Sequence, residues 1–310
     1  MSAPGPLTPP AGAGDTRCGF VAVVGSPNVG KSTLVNRLVG AKVAIVSPKV
    51  QTTRSRLLGI VIAGRTQVVL IDTPGIFAPQ RRLDRAMVAA AWRGATDGDE
   101  ILLVVDAKRG ADTETLAIVR RLASLRRTAI LVLNKIDLVE KPRLLVVAAQ
   151  LAGQGTFSQT FMVCAETGDG VDDLLSCLAA RLPPGPWLYP ADQVSDLPNR
   201  LFAAEITREK IFLQLQQELP YASAVATESW TELRDGGVRI DQVIYVERPG
   251  HKAIVVGRNG SRIKRIGEAA RTELERHLGR RVHLFLFVKV RQNWKDDPER
   301  YRDLGLDFDA

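Results

Sequence analysis

The run Gly25-Ser26-Pro27-Asn28-Val29-Gly30-Lys31-Ser32, followed by Thr33, matches the pattern GxxxxGK[ST]. Glycines there let backbone N–H groups turn inward around phosphate oxygens. Lys31 reaches the β- and γ-phosphates, and the Ser32 hydroxyl is a ligand for Mg²⁺. Further along lies Asp72-Thr73-Pro74-Gly75. A carboxylate at the C-terminal end of a strand beside such a loop can hold the Mg²⁺ shell, and the Gly75 N–H can sense the γ-phosphate. Asn134-Lys135-Ile136-Asp137 forms a third cluster. A carboxylate accepts hydrogen bonds from N1 and N2 of guanine, and adenine offers no such donor pair, so Asp137 would reject ATP. Asn134 and Lys135 would brace the loop and the base. Cys164-Ala165-Glu166 supplies a last loop, whose Ala165 N–H is a candidate donor to guanine O6. Taken alone, DTPG reads equally as a plain turn, and Asp137 alone reads more simply as a helix N-cap. Their order after a phosphate loop is what gives them weight.

These residues need a scaffold of short buried strands ending in loops. Residues 18–24 form an apolar run before the phosphate loop, and a helical pattern follows over 33–39. Two strands are expected within 57–71, joined by Ala63-Gly64-Arg65. Helices are expected at 82–97, 113–125, 141–151 and 171–181, alternating with strands at 101–105, 129–133 and 160–164. That alternation predicts a doubly wound α/β domain over 18–183 with a mixed, mostly parallel sheet. Residues 1–17 read as a flexible Pro/Gly/Ala tail. The Pro-rich stretch 184–198 reads as a linker. Beyond it, helix 199–217, strands 222–234 and 238–248, helix 251–256, helix 261–277 and strand 282–291 make a compact α+β domain over 199–295. Residues 296–310 form an acidic tail.

The chain has 310 residues and a formal net charge of +8. Residues 251–295 hold twelve Lys and Arg against three Glu, while the remainder is near neutral. The basicity is therefore one segment's property and calls for a polyanionic partner there. Its core is Ile254-Val-Val-Gly257-Arg258-Asn259-Gly260-Ser-Arg262-Ile263-Lys264-Arg265-Ile266. A GxxG loop between two helices admits a nucleic-acid backbone closely and clamps about four nucleotides in KH domains. Ile254, Val256, Ile263 and Ile266 are the expected apolar groove. Arg258, Arg262, Lys264 and Arg265 are expected on the phosphate side, with Gly257, Asn259 and Gly260 at the loop itself. A solvated basic helix face is the plainer reading of such a charge run, and the GxxG context and element order outweigh it. Three unpaired cysteines, Cys18, Cys164 and Cys177, fit a reducing compartment. No secretory leader or membrane span is expected.

The four loops together resemble the translation-factor-related GTPases over 18–183. With QTTR, DTPG followed by an apolar residue, NKID, CAETG, FAAEITREKIF, LPY and IVVGRNGSRIKRIG, nearly the whole chain resembles the bacterial Era family of GTPases, a GTPase domain followed by a type II KH domain. That resemblance implies Mg²⁺-dependent hydrolysis of GTP to GDP. It implies a switch I segment at Gln51-Thr52-Thr53-Arg54, with Thr53 rather than Thr52 closing on Mg²⁺. Lys31, Thr53 and Gly75 then act at the reacting phosphate, and Ser32, Thr53 and Asp72 hold the metal. It further implies binding near the 3′ end of 16S ribosomal RNA and a role in assembly of the small (30S) ribosomal subunit. A cytoplasmic, monomeric protein with loose inner-membrane association in some members is implied as well. Ras-like GTPases carry a water-orienting Gln where this chain has Ile76, so slow intrinsic hydrolysis is expected. Asn28 resembles the residue with which some such GTPases bind K⁺; Arg54 as a cis arginine finger is the alternative. A tRNA-modifying GTPase would need another N-terminal domain and a C-terminal cysteine, and a tandem GTPase a second phosphate loop. An RNA chaperone with a vestigial phosphate loop is opposed by intact Lys31, Ser32, Asp72 and Asp137.

Overall fold

The computed structural model describes residues 16–49, 52–79, 81–155, 157–215, 219–292, 298–303 and 305–309. Most of the expected N-terminal tail, Gln51 of the expected switch and residues 293–297 lie outside them. The chain divides into two compact units. One comprises Met1–Ala44, Thr53–Asp196 and Leu304–Ala310, the other Ile45–Thr52 and Leu197–Asp303.

In the first unit, continuous apolar runs form buried strands, as expected where both faces of a sheet are covered. They are β1 (Arg17–Val24), β2 (Leu57–Ala63), β3 (Thr66–Asp72), β4 (Glu100–Asp106), β5 (Ala129–Asn134) and β6 (Phe157–Val163), in sheet order β2-β3-β1-β4-β5-β6. All neighbours are parallel except β2 and β3, which form an antiparallel hairpin. The helices are α1 (Lys31–Val39), α2 (Arg82–Asp97), α3 (Thr113–Ser124), α4 (Lys141–Ala152) and α5 (Val171–Arg181). One core lies under β1, β4 and β5 against Ala91, Ala95, Ile118, Leu122 and Leu151. Since β1, β3, β4 and β5 run parallel, the loops after them open at one end of the sheet, where ligands of such sheets bind.

The Pro-rich stretch is not a free linker. Pro184 bridges Arg17 and Ser195 bridges Gly59, and Ile60 N–H donates to Val194 O at 2.9 Å. Asp196 Oδ1 accepts Leu58 N–H at 3.1 Å. Residues up to Asp196 thus cover β2, the outer strand of the sheet, and the first unit extends past residue 183. Exposed strand edges are liabilities that such straps remove. Gln67 on β3 anchors the strap: its Oε1 accepts the amides of Leu188 and Tyr189 at 2.8 and 3.0 Å, and its Nε2 donates to Tyr189 O at 2.8 Å. Arg17, read as tail, is the first residue of β1.

The second unit contains α6 (Asn199–Gln214), β7 (Ser223–Glu232), β8 (Val238–Val246), α7 (Pro249–Val256), α8 (Ser261–Leu278), β9 (Val282–Val290) and α9 (Pro298–Asp303). β8 pairs antiparallel with β7 and parallel with β9. This is the type II KH order. Phe202, Ala203 and Ile206 of α6 and Ala270 and Leu274 of α8 pack on Val238, Ile240 and Val282 of the sheet. Ile45 belongs to the same core. The segment it opens is held by α6: Val46 N–H donates to Glu209 Oε1 at 2.8 Å, Lys49 to Leu215 O, and Arg208 to Thr52 O. Arg208 and Glu209 are each 2% exposed, and ion pairs to Glu205 and Lys210 offset their burial. No described helix is long and apolar enough to cross a membrane.

Replacing Gln67 with Leu keeps the volume and leaves the Leu188 and Tyr189 amides without their acceptor. Unsatisfied groups of this kind cost about 1–3 kcal/mol. We expect Gln67→Leu to destabilise the full chain by about that much, read as a lower urea midpoint with an unchanged slope of the transition.

Candidate functional site

The phosphate loop connects β1 to α1 through backbone that few residues adopt. Gly25 has φ 154°, Asn28 φ 63° and Gly30 φ 95°. A Cβ on Gly25 would lie 2.4 Å from Val104 O, and one on Gly30 would lie 2.2 Å from Asn134 Nδ2. Glycine is required at both positions by conformation and by space. α1 starts at Lys31 with no side chain capping it, so its first amides point into the loop. Val29 is buried and anchors the loop from beneath.

Lys31 is buried, and its Nζ donates to Gly25 O and Ser26 O, both at 3.1 Å. Burial lowers its pKa from the ordinary value to about 8, and the neighbouring Asp72 carboxylate opposes that shift. Asp72, the last residue of β3, is fully buried, and its own pKa is raised by desolvation against hydrogen bonds from Ser32 and Thr53 and the charge of Lys31. Ser32 Oγ donates to Asp72 Oδ2 at 2.6 Å and lies 2.9 Å from Thr53 Oγ1, which is 3.3 Å from the same Oδ2. Three hydroxyl and carboxylate oxygens from separate loops therefore converge. Asp72 Oδ1 and Ser26 Oγ are buried with no hydrogen-bond partner among the described residues. Hard oxygen donors with an unspent carboxylate oxygen fit Mg²⁺, which keeps several waters and takes few protein ligands. When bound, the ion would neutralise charge on the β- and γ-phosphate oxygens.

Thr73 Oγ1 donates to Val23 O at 2.7 Å and so pins the strand end below the loop. Gly75 lies against Pro27: a Cβ there would meet Pro27 Cγ at 2.9 Å and Pro27 Cα at 3.0 Å. Pro74 delivers Gly75 to that contact, and Thr33 continues α1 one residue past Ser32. Ile76 donates its N–H to Gly25 O at 3.0 Å and buries its side chain in the core. Where Ras-like enzymes have a polar side chain for the attacking water, this one has a hydrophobic anchor.

Asn134, the last residue of β5, is buried; its Nδ2 donates to Val29 O at 2.9 Å and its Oδ1 accepts Ala165 N–H at 3.0 Å. The Ala165 amide expected to reach guanine O6 is thus bonded to Asn134, and a contact with the base would share that donor. Lys135 has φ 62°, and its Nζ bonds Asn28 O and Asp106 Oδ2, both at 2.7 Å. Asp137 is exposed in a short 3₁₀ turn (Ile136–Leu138), and α4 begins later, at the N-cap Glu140. Asp137 therefore does not cap that helix, and the simpler reading of it falls away.

Several contributors were not singled out from the sequence. Asp106, at the end of β4, holds Lys135; its signal was a carboxylate closing an apolar strand, as at Asp72. Arg37 on α1 donates to Ala165 O at 3.1 Å and also to Glu166 O, fixing the last loop. Arg109 reaches Pro27 O at 3.1 Å. Neither arginine has a sequence signal, because the pairings are long-range.

In the second unit the GxxG loop follows α7. Gly257 has φ 73°, Asn259 φ 51° and Gly260 φ 75°. A Cβ on Gly257 would lie 2.7 Å from Arg262 Cβ, whereas one on Gly260 would meet nothing within 4 Å. Arg258, Asn259 and Lys264 are exposed, Ile254 is 46% exposed, and Val256 and Ile263 are half-buried. Arg262 Nη1 donates to Ile254 O at 2.8 Å, closing the end of α7 onto α8. Two expectations change. Ile266 is fully buried in the core with Ile211, Ile244 and Val255, so it supports the groove and is not its wall. Arg265 lines a cleft of about 530 Å³ between α6 and α8, together with Lys210, Glu268 and Glu273.

A family of GTPases described as 50S ribosome-binding matches residues 20–135, and the KH domain family matches residues 218–295. GTPase Era of Bradyrhizobium sp. (strain ORS 278) is 58% identical over 96% of this chain and 97% of that protein. GTPase Era of Rhizobium meliloti is also 58% identical, over 96% and 95%. A crystal structure of a variant of Aquifex aeolicus Era bound to GDP and tetrafluoroaluminate superposes with a TM-score of 0.89 at 38% identity, covering 94% of this chain and 99% of that one. A crystal structure of Era with MgGDPNP and nucleotides 1506–1542 of 16S ribosomal RNA matches equally, with the same score, identity and coverage.

A neutral Lys31 cannot serve phosphate, so nucleotide binding above the lysine's pKa must take up a proton. Affinity should then fall as the pH rises through about 8. Calorimetry of GDP binding in buffers of different ionisation enthalpy should show proton uptake at pH 8 that vanishes near pH 6.5.

Proposed function

This chain belongs to the Era family of GTPases, and from that premise we propose that it is a nucleotide-gated clamp on 16S ribosomal RNA acting in small-subunit (30S) assembly and maturation. As a GTPase it hydrolyses GTP to GDP, and its KH domain is an RNA-binding module. The observation that carries the reading is the meeting of Ser32, Thr53 and Asp72 within one hydrogen-bonded set. Those three residues would hold Mg²⁺, and Lys31 and the loop amides would take the phosphates. Thr53 and Gly75 would register the γ-phosphate, Asp137 the guanine. The segment just before Thr53, Ile45–Thr52, is counted with the second unit and is bonded to α6. Thus the switch that senses nucleotide is continuous in sequence with chain that packs on the KH core. This supports a gate in which hydrolysis releases both the switch and the RNA.

RNA enters this reading through the relative that holds nucleotides 1506–1542 of 16S ribosomal RNA. Gly257, Arg258, Asn259 and Gly260 would carry the phosphate backbone, with Arg262 and Lys264 beside it. Bases would lie on Ile254 and Ile263. Any association with the inner membrane would be peripheral.

Linkage makes the gate testable, because nucleotide and RNA must change each other's affinity by the same factor, typically 5- to 150-fold or about 1–3 kcal/mol. We expect the Arg258→Asp, Asn259→Asp double variant to lose RNA binding and keep basal GTPase, and Lys31→Ala to lose turnover. RNA affinity that is unchanged in the double variant would count against the groove. With Ile76 unable to orient water, Asn28 of the phosphate loop would help hold K⁺. Turnover should rise several-fold when K⁺ replaces Na⁺ at constant ionic strength, and an equal rate in both salts would remove K⁺ from the mechanism.

A further inference from the structure

Helices α6, α7 and α8 cover one face of the second unit's sheet. Val238, Ile240, Ile244 and Val246 of β8 and Val282 and Val288 of β9 point into those cores. The intervening residues of the same strands lie on the other face. The register places Asp241 beside Phe285, Val243 beside Phe287 and Tyr245 beside Lys289. Phe285 is 43% exposed and Phe287 is 53% exposed. Apart from these rings the face is lined by small or polar side chains, such as Ala224, Ala226, Ser229 and Thr231 opposite β8. Val243 lies buried at the foot of the rings.

Guanidinium groups attend the aromatics. Arg239 Cζ lies 4.6 Å from the Phe285 ring centroid, and Arg291 Cζ lies 6.0 Å from that of Tyr245. Lys289 stands exposed next to them. Glu228 and Asp241 lie among these groups, and both are engaged. Glu228 accepts from Tyr245 Oη and Lys289 Nζ, each at 3.1 Å, and Asp241 accepts from Arg239 Nε at 3.2 Å and from Ser229 at 2.6 Å. Such pairs hold the cations beside the rings.

We propose that this open face is a second RNA surface, on which Phe285 and Phe287 stack successive bases of single-stranded RNA while Arg239, Lys289 and Arg291 take its phosphates. The inference rests on the RNA-binding reading above. Two residues apart on a strand, the rings are separated by about 6.6 Å, so an extended strand can lay one base on each. Aromatic rings on a sheet with arginine planes nearby are a recognised way to hold unpaired bases without strict sequence demand. β9 also belongs to the segment that carries the whole positive excess of the chain, and much of that charge lies outside the GxxG loop. A GxxG groove accounts for about four nucleotides, so a longer RNA needs more surface on the same unit. A protein partner would read the face by greasy contact and would tolerate Leu for Phe. A stacked base would not.

The test uses the full chain and labelled single-stranded RNA of six and sixteen nucleotides from the 3′-terminal segment of 16S ribosomal RNA. Phe285→Leu with Phe287→Leu should reduce affinity for the sixteen-mer by about tenfold or more and leave that for the six-mer unchanged. Phe285→Tyr with Phe287→Tyr should retain it, which separates stacking from misfolding. Ultraviolet crosslinking of the unsubstituted chain should give a base adduct within Val282–Val290. An unchanged sixteen-mer affinity in the Leu variant, or a Leu variant that binds RNA normally but fails to bind small subunits, overturns the proposal. The Arg258→Asp, Asn259→Asp variant, measured on the six-mer, tests the groove separately.

Discussion

One buried side-chain amide ties together the loops on which the nucleotide site depends. Asn134 gives Nδ2 to the phosphate loop at Val29 O and Oδ1 to the last loop at Ala165 N–H. It sits at the end of strand β5 and presses so close to Gly30 that no side chain fits between them. Lys135 extends the connection, from Asn28 O to Asp106 at the end of β4. Strand ends are rigid and the loops beyond them are not, so cross-links of this sort convert sheet rigidity into loop position. A neutral amide suits the task because it donates and accepts at once and carries no charge to desolvate.

The phosphate end obeys a different constraint. Lys31 and Asp72 are both buried, and burial disfavours the charged form of each. Lys31 is bonded to two loop carbonyls, and Asp72 uses one carboxylate oxygen on Ser32 and Thr53 while the other has no hydrogen-bond partner among the described residues. A phosphate would partner Lys31 and its bound cation the Asp72 carboxylate, so the two would complete the site together. The same electrostatics explains why a near-neutral domain can hold a polyanion: local groups and amide dipoles decide it, and net charge does not.

Much of this was legible in the residues. The glycines, Lys31, Ser32 and Asp72 occupy the places their spacing required, and strands and helices fall within a few residues of the expected limits because the apolar runs are short and the breaks strong. Illegible features share one physical cause, which is dependence on partners distant in sequence. The stretch 184–196 is rich in proline and reads as a linker; the contacts of Val194, Ser195 and Asp196 with β2, and of Gln67 on β3, reveal it as a strap. Ile266 has the spacing of a groove wall and lies in the core, since α8 presents it to Ile211 and Val255. Ile45–Thr52 reads as part of the first domain and is held by Arg208 and Glu209 of the second unit's first helix.

That last assignment bears on how a gate can be built at all. A switch anchored only in its own domain could relax without consequence elsewhere. Here the chain passes from α6-bonded backbone at Thr52 to the Thr53 hydroxyl, beside Ser32 and Asp72, within one peptide bond. Arg208 is itself held in place by Glu205 on the same helix. In the proposed gate, movement at Thr53 would be felt at the neighbouring Thr52 carbonyl, which is bonded to α6, whose apolar side packs the KH sheet. Coupling of about 1–3 kcal/mol needs no large motion when the shared element has so few ways to relax.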